Sequence, residues 1–231
     1  MKATAVKSKQ RRGAPAAKPR SKAALEPVRD AERTRQAILA AAEVEFADKG
    51  LAGARVDAIA EQSGANKQML YYYFGSKENL YVAVLERAYG AMRQTERELD
   101  LLALDPLDAI RKLVEFKFDY LHEHPSLIRL LAVENVHNAR YLKRSRHLRD
   151  MHNSLVTVLQ AVLAAGQARG QVKPGIDPLQ LYISLAGLSY FFFANAATLS
   201  TAFGRDLVSD SELKRRRAHV VEMVLDHIRV R

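Results

Sequence analysis

Apolar positions recur along the chain at helical spacing, and Gly, Pro and Asx residues interrupt them, so the expected architecture is all-α. A first helix is predicted over residues 30–49, with Ile38, Ala41, Ala42 and Phe46 as its inner stripe and Gly50 closing it at the C′ position. Val56, Ile59 and Ala60 mark a short second helix that stops at Ser63 and Gly64. Asn66 then caps a third helix, whose inward side is Leu70, Tyr73 and Phe74. Ala60, Gly64 and Leu70 are small, turn-forming and apolar in that order, as a helix-turn-helix requires. The small residue lets two helices cross closely, the glycine turns the chain, and the leucine locks the second helix onto the first.

The pattern continues as a larger helical body. Ser76 is placed to cap a fourth helix, expected to reach about residue 102, with Leu80, Val84, Leu85, Ala88 and Met92 inward. Asp105 and Pro106 open a fifth carrying Ile110, Leu113, Val114, Phe116 and Phe118, and a sixth contains residues 127–133. Further stripes cover residues 147–168, with Met151, Leu155, Val158, Leu159, Val162 and Leu163, and residues 211–229, with Leu213, Val220, Val221, Val224, Leu225 and Ile228. Between them, residues 178–204 hold no charged side chain. That run is long enough for a bilayer, but Gln180, Ser184, Ser189, Asn195, Thr198, Ser200 and Thr201 interrupt it and it stands alone. The expectation is a helix buried between its own domain and a partner subunit, with no membrane.

The outer face of the third helix carries Lys67, Gln68, Met69, Tyr71 and Tyr72. In a helix-turn-helix that half enters the major groove, where an amide reads adenine edges and phenols bond phosphates. Three consecutive tyrosines alone would be read as core; beside Lys67 and Gln68 they point to DNA. At these residues the chain resembles the TetR family of transcriptional regulators. The resemblance rests on the turn ending in Lys67, on YYFGSKE at residues 72–78, and on TRQAILAAAEVEFADKGLAGARVDAIA, which begins at Thr34. It implies DNA contacts by Arg55, Lys67, Gln68, Met69, Tyr71, Tyr72 and Tyr73. It also implies that Lys77 and the start of the fourth helix hold a phosphate. Asn79 stands where the family commonly has Glu, so the reciprocal capping box is incomplete. The family further implies a homodimer through the last two helices, a palindromic double-stranded operator, and a small-molecule effector of unidentified kind.

The expected organisation is a disordered basic tail at residues 1–29, a helix-turn-helix domain at 30–76, and a ligand-binding and dimerisation domain at 77–231. Net charge is +10 over 231 residues, and residues 1–30 supply seven of those charges. The tail is short of large apolar residues and lacks the apolar stretch of a signal peptide. It is read either as an aid to phosphate binding or as a solubilising leader. Arg33 and Arg35 are expected near a helix N-terminus, where the dipole disfavours cations. The absence of Cys removes disulfides, thiolate metal sites and a Cys nucleophile, and permits a reducing cytoplasm. His122 and His124 are two apart, the wrong spacing for a zinc pair on one helix face. No nucleophile elbow, phosphate loop or dinucleotide glycine motif occurs, so neither an enzyme nor a cofactor is expected. Glu134, Asn135, His137 and Asn138 follow an apolar run, and are read as ligand contacts or as an internal polar network. The basic residues from Arg140 to Arg149 are read as a solvated face. Candidate pocket residues are Met92, Phe116, Tyr120, Asn135, Phe191 and Asn195. The competing function is a ligand-independent architectural DNA binder, which would share the head and the tail but lack a pocket.

Overall fold

The computed structural model describes the backbone of residues 22–230, and the side chains of residues 30–230 other than 149 and 151–153. Among the described residues the regular structure is helical, apart from a lone antiparallel bridge between Val172 and Arg229. The helices are α1 (Lys22–Gly53), α2 (Val56–Ser63), α3 (Lys67–Phe74), α4 (Lys77–Glu98), α5 (Pro106–Glu123), α6 (Pro125–Val136), α7 (Arg146–Ala168), α8 (Pro178–Ala194), α9 (Ala196–Phe203) and α10 (Asp210–Ile228).

The caps explain most boundaries. Ser76 Oγ accepts from the Asn79 N–H at 3.1 Å, Asp105 from Leu107 at 3.2 Å, and Asp177 from Leu179 and Gln180 at 2.8 and 2.9 Å. Three boundaries differ from the sequence expectation. Helix α1 begins at Lys22, so the last eight residues of the expected tail are helical, while residues 1–21 lie outside the described residues. Arg33 and Arg35 therefore sit well inside α1 rather than in its first turn, and pair with Asp30 and Glu32 at 3.3 and 3.7 Å. Helix α4 ends at Glu98 because Asp100 adopts a left-handed conformation (φ 47°), and a 3-10 turn over Leu101–Ala103 buries Leu101. The uncharged run breaks at Asn195, whose side chain turns back to the Phe191 carbonyl at 2.8 Å, leaving α8 and α9 bent by 67°. No single helix among the described residues is long and apolar enough to cross a membrane.

Two apolar cores follow from the stripes. The first joins Ile38, Ala42 and Phe46 of α1 to Ile59, Leu70 and Phe74 of the head, to Leu80, Tyr81, Val84 and Leu85 of α4, and to Leu127 and Leu130 of α6. Phe46 and Tyr81 meet edge to face at 5.1 Å. The second joins Ile110, Leu113 and Val114 of α5 to α7, α8 and α10 through Leu159, Leu185, Val220, Val224 and Ile228. Helix α6 also seats on α1, and Gly50, bent to φ 64° and ψ 176°, brings the chain against Val133 there.

Candidate nucleic-acid interface and effector cavity

The head is assembled as the pattern requires. Gly64 closes α2 in the left-handed conformation (φ 68°), and Asn66 Oδ1 accepts from the Met69 N–H at 2.9 Å to open α3. With Leu70 and Phe74 buried beneath it, α3 turns Lys67, Gln68, Tyr71 and Tyr72 to solvent. Tyr72 is 84% exposed, which excludes the core reading of the tyrosines for that residue. Tyr73 is half-buried, edge-on to Tyr72 at 5.2 Å, and Met69 is also partly covered. Lys67 pairs with Asp57 at 3.0 Å, and that carboxylate raises its pKa.

Arg55 is exposed, and its backbone N–H donates to Glu45 Oε1 at 2.9 Å. This buried carboxylate also receives Lys49 at 2.9 Å, and the Lys49 hydrogen bond is the main cause holding it below the usual Glu range. Glu45 thus holds the N–H of Arg55, the N-cap residue of α2, as the acid of a capping box does. The sequence reading missed it, although it stands four residues after Ala41 on the inner stripe of α1. Lys77 Nζ reaches the Ala52 carbonyl at 3.4 Å, and the Arg35 guanidinium covers the Phe74 ring at 5.5 Å. The result is an exposed face with one cation, an amide and phenols on one short helix, and a helix N-terminus with its lysine alongside. Such a face suits a major groove and its flanking phosphates.

A second site opens in the body. A cavity of about 460 Å³ lies between α4, α5, α6 and α8, with Tyr89, Met92, Lys117, Asn135, Tyr182 and Tyr190 in its wall. Lys117 is buried in its wall, and Arg93 and Glu96, also buried, lie behind it and line a neighbouring cavity of about 130 Å³. Lys117 Nζ is 2.6 Å from one Glu96 oxygen, and Arg93 binds the other. Arg93 also donates to the Tyr182 hydroxyl at 2.8 Å, and both cations lie over the Tyr182 ring, at 5.7 and 5.5 Å. Burial pushes the Lys117 ammonium down to about 8, against the opposing pull of Glu96. Burial likewise raises the Tyr89 hydroxyl.

Of the six residues proposed from sequence for a pocket, Met92 and Asn135 line this cavity. The other four lie elsewhere. Phe116 packs on Tyr120 at 5.4 Å, and Tyr120 stacks on His124 at 3.9 Å. Phe191 is exposed on a different side of α8, and Asn195 caps that helix. Glu134 is buried and accepts from the Leu142 N–H at 2.8 Å, whereas His137 and Asn138 are exposed. The charged trio escaped the sequence reading.

The head and the body both match known families. Residues 38–84 match the model described as bacterial regulatory proteins, tetR family. Residues 106–224 match the tetracyclin repressor-like C-terminal domain. The HTH-type transcriptional repressor NicS of Pseudomonas putida is 40% identical over 184 residues, covering 80% of this chain and 86% of NicS. Among solved structures, the transcriptional regulator SCO4942 of Streptomyces coelicolor superposes with a TM-score of 0.64 at 29% identity, over 84% of this chain and 98% of that one. FadR of Bacillus subtilis, solved with stearoyl-CoA, superposes with a TM-score of 0.66 at 18% identity, over 83% and 97%. With its helix-turn-helix head, the capped helix that follows it and matches along both halves, the chain belongs to the TetR family of DNA-binding transcriptional regulators.

Proposed function

We propose that the protein is a homodimeric repressor that leaves a palindromic operator when a small molecule fills the cavity beside Lys117. In this reading residues 30–76 read the DNA, residues 77–231 hold the effector and the dimer contact, and the protein works in the cytoplasm, where its operator lies. The observation that carries the reading is the recognition helix, with Tyr72 84% exposed above a locked Leu70 and Phe74 underside. Arg55, Lys67, Gln68, Met69, Tyr71, Tyr72, Tyr73 and Lys77 make the DNA contacts, with Arg55 and Lys77 on phosphates.

Leu179, Ile183, Phe191 and Met223 are large apolar residues left exposed on α8 and α10. A groove of about 530 Å³ runs between these helices, with Ile183, Gly187, Phe191 and Met223 in its wall. A second copy covering that face would form an intermolecular four-helix bundle. Two heads about 34–36 Å apart would then meet successive major grooves. At the Lys117 wall of the cavity, two cations, Lys117 and Arg93 behind it, stand against the one Glu96 carboxylate and leave a net positive charge, which favours an effector with an acceptor or anionic group at that end. The stearoyl-CoA held by FadR supports the view that this fold accommodates a ligand. The cavity weighs against a ligand-independent architectural role.

Selection of bound duplexes from a random pool tests the reading. The expected outcome is an enriched palindrome whose affinity is abolished by Lys67→Ala with Tyr72→Ala, the dimer remaining intact. Binding without enrichment would favour the architectural role, and loss of the dimer in that double variant would refute the proposed division of labour.

A further inference from the structure

Among the described residues, the segment that joins α6 to α7, with the first turn of α7, presents cations that no acid neutralises. Residues 137–147 read HNARYLKRSRH, and Arg140, Lys143, Arg144 and Arg146 are all exposed. Among the described residues none of these four forms an ion pair. Two of them are nevertheless held in place. Arg144 Nη2 donates to Asn79 Oδ1 at 3.0 Å, in the first turn of α4. Arg140 lies over the Tyr141 ring at 5.6 Å, and that ring sits edge-on to Tyr81 of α4 at 5.4 Å.

The backbone between them is anchored as well. Ser145 Oγ donates to Glu86 of α4 at 2.5 Å, and the Leu142 N–H donates to the buried Glu134 of α6. The turn is made at a conformational cost, since Asn138 (φ 55°) and Ala139 (φ 56°) are consecutive left-handed residues and neither is glycine. A segment built this firmly holds its backbone and the Arg140 and Arg144 side chains at fixed positions relative to α4, so less freedom remains to be lost on binding an anion.

The anion is indicated by what α4 does at the same end. Its first turn carries Lys77 and the open amides that face a phosphate in the regulator reading, on which the present inference rests. Arg144 reaches that same turn, through Asn79, two residues after Lys77. A duplex carries a charge about every 1.7 Å of its length, so phosphates next to the first are at hand for neighbouring cations.

We propose that Arg140, Lys143, Arg144 and Arg146 form a second contact with the DNA backbone, made by the C-terminal domain to phosphates that the head does not reach. This contact adds affinity and salt dependence without sequence preference, because phosphates carry no base information.

The test is the variant Arg140→Ala, Lys143→Ala, Arg146→Ala, which spares Arg144 and the anchors. Operator affinity is measured against salt, and phosphate-ethylation interference maps the phosphates in use. The expected result is a salt slope smaller by about 0.9 for each phosphate given up, about 5.4 for three in each subunit of the dimer, with an unchanged selected sequence. The interference pattern should lose phosphates that remain intact in Lys77→Ala. A second variant, Lys143→Glu alone, should weaken binding at low salt without altering thermal unfolding. An unchanged slope and interference pattern in the triple variant overturns the proposal while leaving the regulator reading standing. Failure of the wild-type protein to select any DNA overturns that reading instead.

Discussion

At the residue scale, Glu96 is the single carboxylate between two buried cations, Arg93 and Lys117. Glu96→Gln leaves both without a counter-charge and should cost about 3–5 kcal/mol in urea unfolding. Lys117→Met leaves a one-to-one pair of Arg93 and Glu96 and should cost much less. The same lysine predicts a pH dependence. Its folded pKa is pushed down to about 8 from 10.5, so between those values the unfolded chain binds the proton that the folded chain has released. Stability contributed by Lys117 therefore rises with pH across that window, because the unfolded state holds more protons. The difference between wild type and Lys117→Met, measured from pH 7 to 10.5, should show this rise. A constant difference would mean that the ammonium stays charged in the fold.

At the scale of elements, Gly50 is the clearest control point. Its φ of 64° and ψ of 176° belong to a region that side chains avoid, although a Cβ there would come only to 3.7 Å from Val133. Gly50→Ala should lower stability by about 1–3 kcal/mol through backbone strain, with no steric clash to relieve. A companion variant Val133→Ala would not rescue it. Local signals of this kind were legible in the sequence: the caps at Asn66, Ser76 and Asp105, the turn at Gly64, and the inner stripes of α1, α4 and α5. The left-handed Asp100 that ends α4 was not, since only the burial of Leu101 favours it. Nor was the cavity-facing side of α8. That helix is apolar all round, so period alone could not choose between Tyr190, which lines the cavity, and Phe191, which does not. Glu96 and Lys117 do lie on readable stripes, four residues after Met92 and Leu113. Their pairing across two helices is a tertiary fact that spacing does not contain.

For the whole molecule, the exposed apolar face of α8 and α10 bears on the proposed assembly. Ile183→Lys with Met223→Lys should produce a monomer by sedimentation and lower operator affinity, since each head would then bind its half-site alone. A double variant that remained dimeric would move the subunit contact to another face. The two cores meet the same demand from opposite sides: one ties α6 to the head, the other ties α8 to α10, and the cavity lies where their helices converge.

Helix α6 lines the cavity with Leu127, Leu131 and Asn135, and it also seats on α1 of the head. With one element serving both sites in the proposed switch, the factor by which the effector loosens the operator is also the factor by which the operator loosens the effector. Copies already on a promoter are then the least sensitive in the cell. The unbound pool takes up the effector first and acts as a sink, so the concentration that switches the gene on rises with the number of copies of the protein the cell keeps.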